Sequence, residues 1–210
     1  MQNAMLSLIL FGFVAGNALA AVAGVAPDVL AKTTTEEVLE ILRNNKDIRT
    51  DPKKVTELVE AKILPHFDFT KMTRLAVGKG WRQASPEQQQ TLVTEFRNLL
   101  VRTYGTSLTQ YKNETVEFKP LKMEPDAADV MVKSQINRAG GGQSIAVDYT
   151  MEKSSSGWKI YDVTIEGVSL VTTYRGSFAD EVQRSGVDGL IAHLQQKNRD
   201  AGSGSASAGK

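Results

Sequence analysis

Apolar residues in this chain recur at helical spacing as far as Tyr111, at every second position from Val116 to Ile165, and at helical spacing again from Leu170. A helix buries one stripe and a strand buries alternate side chains, so the two periods divide the chain into helices, a sheet, and helices. In the middle section Val116 and Phe118, then Val130, Val132 and Ile136, then Ile145, Val147, Tyr149 and Met151, then Tyr161, Val163 and Ile165 each share one side of a strand. Turns at Glu124 to Asp126, Gly140 to Gly142 and Ser154 to Gly157 separate the runs, which predicts an antiparallel meander of four strands. Pro120 makes the first strand an edge or breaks it. The fold class is α+β: a curved four-stranded antiparallel sheet covered on one face by several helices, with a helical lobe.

The helical sections carry their own punctuation. Thr33 to Glu37 supplies cap residues and early acids before Val38, and Pro52 opens a second helix that Pro65 ends. A third helical piece covers Phe69 to Val77. Ser85-Pro86-Glu87-Gln88 reads as a capping box with proline at the first helical position. The helix behind it carries Leu92, Val93, Phe96, Leu99, Leu100, Tyr104, Leu108 and Tyr111 on one face, some 25 residues and roughly 39 Å. After Gly167 the strand pattern passes straight into a helix bearing Leu170, Val171, Tyr174, Phe178 and Val182, which Gly186 stops before a last helix holding Val187, Leu190, Ile191 and Leu194.

With 210 residues and 41% apolar composition, the chain buries a substantial core in one domain over residues 21–200. A net charge of +1 provides no global field for nucleic acid. The absence of cysteine excludes disulfides, thiolate zinc sites and a lipoprotein acylation site. Residues 1–20 read as a signal peptide: Met5 to Ala15 is an apolar run shorter than a bilayer span, and Asn17 to Ala21 offers cleavage after Ala20, although residues 1–4 lack the usual Lys or Arg. The Gly- and Ser-rich stretch at 201–210 is expected to be a disordered tail.

Material for catalysis is thin. His66 and Asp68 stand two apart, but a turn histidine with Asp68 capping the next helix is the simpler reading. His193 lies on the last helix as a surface residue. Gly140-Gly141-Gly142 joins two strands and opens no helix, so it lacks the amides of a phosphate loop. Asp162 and Glu166 read as a solvated sheet face. Lys71, Arg74, Lys79 and Arg82 form an acid-free basic stretch, suited either to the rim of an anion site or to a solvated helix face. Trp81, Phe96, Tyr104, Tyr149, Tyr161, Tyr174 and Phe178 all fall on inward positions, as ordinary core or as the lining of a cavity.

Gly157-Trp158-Lys159-Ile160-Tyr161-Asp162-Val163-Thr164-Ile165-Glu166-Gly167 running on to Tyr174-Arg175, with Gly78-Lys79-Gly80-Trp81-Arg82-Gln83-Ala84-Ser85-Pro86-Glu87-Gln88 upstream, resembles the periplasmic phospholipid-carrier family of the lipid-asymmetry (Mla, toluene-tolerance) pathway of Gram-negative bacteria. The likeness runs from about Val29 to about Lys197. It implies a cone-shaped sheet similar to the nuclear-transport-factor type. It also implies a periplasmic, monomeric shuttle that makes and breaks no bond and needs no cofactor or metal. Such a shuttle carries a glycerophospholipid between an inner-membrane ABC-type transporter complex and an outer-membrane lipoprotein complex. Carried onto this chain, the resemblance implies a lipid-binding wall of Leu75, Val77, Trp81, Phe96, Leu100, Tyr104, Val147, Tyr149, Val163, Val168, Leu170, Tyr174 and Phe178. Two other readings compete: a small hydrolase or isomerase using a conical pocket, and a carrier of another hydrophobic ligand such as a fatty acid or quinone.

Overall fold

A computed structural model describes residues 24–110 and 113–204. The expected signal peptide at 1–20, Tyr111, and the tail from residue 205 lie outside the described residues. The first helix, α1 (Pro27–Asn44), begins with proline in its first turn and runs through Thr33 to Glu37, so these residues are helix interior and not its start. Burial explains the earlier start: Ala31 packs into the main core, and packing outweighs the weak helix preference of three threonines. A short helix α2 (Lys46–Thr50) leads to α3 (Pro52–Lys62), where the Asp51 side chain accepts the Lys53 N–H. Next, α4 (Phe69–Val77) is capped by Asp68, whose carboxylate accepts the Lys71 N–H at 2.8 Å.

A 3-10 turn, Gly78–Arg82, joins α4 to α5 (Pro86–Gly105). The capping box is complete at the start of α5: Ser85 Oγ accepts the Gln88 N–H at 3.2 Å, and Gln88 Oε1 accepts the Ser85 N–H at 2.8 Å. This helix is shorter than its apolar stripe suggested, at 20 residues. It tightens at Gly105, a poor helix residue where α3 approaches through Val59, and continues as the 3-10 turn Thr106–Gln110.

The sheet has five strands and not four: β1 (Thr115–Phe118), β2 (Asp129–Asn137), β3 (Ile145–Ser154), β4 (Gly157–Ile165) and β5 (Val168–Ser169), neighbours in that order and all antiparallel. The sheet is open. β1 is an edge and ends two residues before Pro120, as the proline requires. The additional strand arises because Glu166 (φ 50) and Gly167 (φ 80) both take positive φ. Two such residues in succession make a type I′ turn, which folds the chain back so that Val168 pairs with Ile165 before α6 begins.

Register sets which side chains meet the core. Val130, Val132, Ser134 and Ile136 of β2 lie opposite Met151, Tyr149, Val147 and Ile145 of β3, and these form the covered face. On β4 the register shifts, with Thr150 opposite Asp162 but Met151 opposite Ile160. The bulge leaves Tyr161 without a partner, so Trp158, Ile160 and Val163 are buried while Tyr161 departs from the row it was expected to share with Val163 and Ile165. Lys71 Nζ stands 3.6 Å over the centre of the Tyr161 ring, pairs with Glu152 and lies 3.6 Å from Asp129. The segment before α4 adds to this junction: Phe67 bridges to Ile160, and the Asp68 N–H donates to the Ile160 carbonyl at 2.8 Å.

The last helical element, α6 (Leu170–Gly204), is broken at Gly186, whose φ of 71 and ψ of −174 are not helical. It extends past Ala201, where the tail was expected to begin. The main core joins the covered sheet face to α4, α5, α6 and the start of α1. A smaller one, Val38, Leu42 and Leu58 with Leu39, Ile41, Ile48, Ile63 and Leu108, holds α1, α2 and α3 together as a helical lobe.

Two outcomes follow from this framework. Ser85→Ala removes one half of a reciprocal cap and is expected to lower stability by about 1 kcal/mol, read as a lower urea midpoint at unchanged slope. Burial, followed by the hydrogen bond and charge of Asp129, pushes the Tyr161 phenol from 10.0 up to about 12. Its folded pKa lies above its unfolded one, so its contribution is complete below pH 10 and is lost as pH rises through about 12. Stability should therefore fall across that window, and more shallowly in Tyr161→Phe, by chemical denaturation at a series of alkaline pH values.

Candidate functional site

The interior formed by α4, α5, α6 and the sheet is apolar and rich in rings. Phe96 of α5 is fully buried and stands 5.0 Å from Tyr174 and 5.1 Å from Phe178, both edge-on; Tyr174 and Phe178 are 5.4 Å apart. These are favourable aromatic separations, and they tie α5 to the first turns of α6. Leu100, Val77, Val147, Val163 and Leu170 are buried in the same cluster, and Leu75, Trp81, Tyr104 and Tyr149 pack against it half-buried. Val168 stands apart: it is 58% exposed on β5, because the turn at Glu166 and Gly167 carries it away from the covered face. Sequence reasoning placed Met151 on this face but did not single out Met72, Trp158 and Ile160, which belong to the same interior. A bulge that moves the β4 row by one residue hid the last two.

The tyrosine hydroxyls in this interior have protein partners. Burial pushes the Tyr149 phenol up, against hydrogen bonds with Ser134 and Thr35. Burial likewise raises Tyr174, helped by the neighbouring Tyr104 hydroxyl with which it bonds. Both stay neutral near pH 7, so the region is polar at a few defined points and uncharged.

The groups considered for chemistry take structural roles. Asp68 is a helix cap, and His66, pulled down by burial and by Lys159, is not hydrogen-bonded to it in the described structure. Asp162 accepts the Ser169 hydroxyl at 2.5 Å and the Val171 N–H at 3.1 Å. Glu166 accepts the Ala146 N–H. His193 Nδ1 lies 4.0 Å from the buried Glu181, which also pairs with Arg184. Among the described residues no group of three His, Cys, Asp or Glu side chains could hold a metal ion. Of the basic stretch, Lys71 is taken up by Glu152 and Asp129, whereas Arg74, Lys79 and Arg82 are exposed. A polar groove of about 430 Å³ lies elsewhere, on the outer side of α5 against the end of α6, lined by Glu95, Asn98, Arg102, Gln195, Asn198 and Arg199.

The model of the family described as MlaC protein matches residues 32–196. The chain belongs to the MlaC family. Two relatives similar to it are the toluene tolerance protein ttg2D of Pseudomonas putida, 28% identical over 77% of this chain and 74% of that protein, and the intermembrane phospholipid transport system binding protein MlaC of Haemophilus influenzae, 25% identical over 84% of each. A solved structure, the phospholipid-binding protein from Ralstonia solanacearum in complex with a phospholipid, is similar at a TM-score of 0.78 and 40% identity, over 83% of this chain and 98% of that one. The α+β architecture described above is thus shared with a protein solved in complex with a phospholipid.

Asp162 decides between a structural and a catalytic carboxylate. Asp162→Ala removes the acceptor of the Ser169 hydroxyl and of the Val171 N–H at the start of α6, and is expected to cost about 1–3 kcal/mol in urea unfolding.

Proposed function

We propose that the mature chain is a periplasmic carrier that holds a glycerophospholipid by its acyl chains and releases it unchanged. The single observation that carries this reading is the likeness, at 40% identity, to a protein solved with a phospholipid bound. Each buried methylene is worth about 0.8 kcal/mol, so two acyl chains of ordinary length hold a lipid in a bilayer by on the order of 20 kcal/mol. A carrier matches that only with an apolar wall on every side. The wall proposed here is Leu75, Val77, Trp81, Phe96, Leu100, Tyr104, Val147, Tyr149, Val163, Leu170, Tyr174 and Phe178, with the exposed Val168 proposed for its outer edge.

The acyl chains enter between the sheet and the helices, and the phosphate stays outside, where its desolvation cost is avoided. Function as a carrier agrees with an interior in which the Tyr174 and Tyr104 hydroxyls bond to each other, and with Asp68 and Asp162 serving as helix caps beside it. The Haemophilus relative is called a binding protein of an intermembrane phospholipid transport system. By extension, the partners proposed for this chain are an inner-membrane transporter complex and an outer-membrane lipoprotein complex. Export through the segment at 1–20 brings the chain to the space between them. Among the described residues no helix is long and apolar enough to cross a membrane.

Native mass spectrometry of protein purified from a bacterial host without added lipid tests the reading. An adduct of glycerophospholipid mass near one per chain is expected; a clean apo mass would overturn it, and a fatty acid or quinone adduct would replace the cargo. Tyr174→Glu sets a carboxylate beside Phe96 and Phe178 and is expected to remove most of the adduct while far-UV circular dichroism keeps its helical and strand signal.

A further inference from the structure

The α4–α6 junction brings together two acid-free segments of the chain. No acidic residue occurs between Asp68 and Glu87, or between Glu166 and Asp180, and these two segments carry Lys71, Arg74, Lys79, Arg82 and Arg175. Lys71 is neutralised against the sheet. The other four are exposed, and among the described residues none of them has an ion pair or a hydrogen bond from its side chain. The fold gathers them: the Gly78 N–H closes α4 on the Arg74 carbonyl, Lys79 follows, and the 3-10 turn ends at Arg82. From the facing helix, Arg175 lies over the same glycine, its Nε 3.6 Å from where a Cβ on Gly78 would stand. A chain whose net charge is +1 therefore concentrates four unpaired cations around one turn. The inner side of that segment holds Leu75, Val77 and Trp81 against the aromatic interior.

We propose that this basic turn is a docking surface for an anionic lipid bilayer, which brings the α4–α6 junction against the headgroups of the membrane. Charge complementarity selects the partner. A negatively charged leaflet attracts cations held near its surface, each favourably and with an effect that salt screens. Trp81, half-buried at the centre of the turn, belongs to the residue type favoured where apolar and wet surroundings meet. Attraction at this site leaves the headgroup region next to the segment that covers the apolar interior. The value of that position for cargo transfer rests on the carrier reading; the docking itself does not.

Co-sedimentation of the full mature chain with vesicles tests it, using phosphatidylcholine alone and phosphatidylcholine mixed with phosphatidylglycerol. The protein should pellet with the mixed vesicles at about 0.01 M salt, where the screening length is about 30 Å, and be released towards about 0.15 M, where it is about 8 Å. It should stay in the supernatant with phosphatidylcholine alone. The combined variant Arg74→Glu, Lys79→Glu, Arg82→Glu and Arg175→Glu is expected to lose binding at least about tenfold with an unchanged circular dichroism spectrum. Single reversals, Lys79→Glu and Arg82→Glu, each give a partial loss if the fourfold variant fails to fold. Equal pelleting with both vesicle types, no pelleting with the anionic vesicles at low salt, or undiminished binding by the folded variants would overturn the proposal. Copurifying lipid, measured on the same preparations, separates the two readings: an apo protein that still pellets overturns the carrier alone, and a loaded protein that does not pellet overturns the docking surface alone.

Discussion

The carboxylate of Asp162 is the joint on which the site turns. It sits on β4 just past the bulge, and it holds both the Ser169 hydroxyl and the Val171 N–H, so the first turn of α6 is anchored to the strand it has just left. A helix N-terminus has N–H groups without intrahelical partners and favours negative charge, and here a side chain from the sheet supplies both needs. The type I′ turn at Glu166 and Gly167 makes this reach possible by returning the chain antiparallel to β4 for two residues. Once α6 starts at that point, Leu170, Val171, Tyr174 and Phe178 arrive over the covered face, and Phe96 meets the last two.

The opposite wall is fastened by a second polar junction. Asp68 caps α4 while its own N–H enters the sheet through Ile160, and Lys71, one turn along, closes on Glu152, Asp129 and the face of Tyr161. Both junctions use the bulge in β4: it frees Tyr161 to receive Lys71 and sets Asp162 towards α6. One irregularity in a strand thus positions the helices on two sides of the interior. The polar atoms that hold the wall stay outside it, and its inner surface is left to Met72, Leu75, Ala76 and Val77.

Local signals were legible in the sequence wherever their cause was local. The capping box at Ser85 to Gln88, the strand ended ahead of Pro120, and the helix broken at Gly186 each depend on residues within one turn of the chain, and each stands as read. The features that were not legible depend on distant partners. Thr33 to Glu37 resembles a helix start until Ala31 is seen to pack on the main core, and Tyr161 alternates correctly with Val163 until the register with β3 removes it from the row. The exposure of Val168 was not legible for a mixed reason: Glu166 has to adopt positive φ beside a glycine, and a non-glycine residue seldom does so without a turn to hold it. The candidate wall was legible as an apolar face, since alternation and helical spacing report burial. They do not distinguish a filled core from a wall, because both need the same residues at the same positions; that distinction rests on the likeness to a phospholipid complex.

Tyrosine in such an interior answers a physical difficulty. A wall that meets acyl chains when loaded and is bared when cargo leaves must not carry polar atoms whose bonding depends on the cargo, because an unpaired buried hydroxyl costs about 1–3 kcal/mol. In this chain the hydroxyls are paired within the protein: Tyr174 with Tyr104, and Tyr149 with Ser134 and Thr35, one residue from the sheet and one from α1. The ring faces remain apolar surface while the oxygens link neighbouring elements. Ser134 follows the same rule, its hydroxyl bonded at 2.6 Å to the Val147 carbonyl across the β2–β3 pair. In the carrier proposed above, a lipid then meets ring faces and not unpaired hydroxyls, loading and unloading exchange apolar contacts, and the free energy of transfer stays close to that of the bilayer from which the cargo comes.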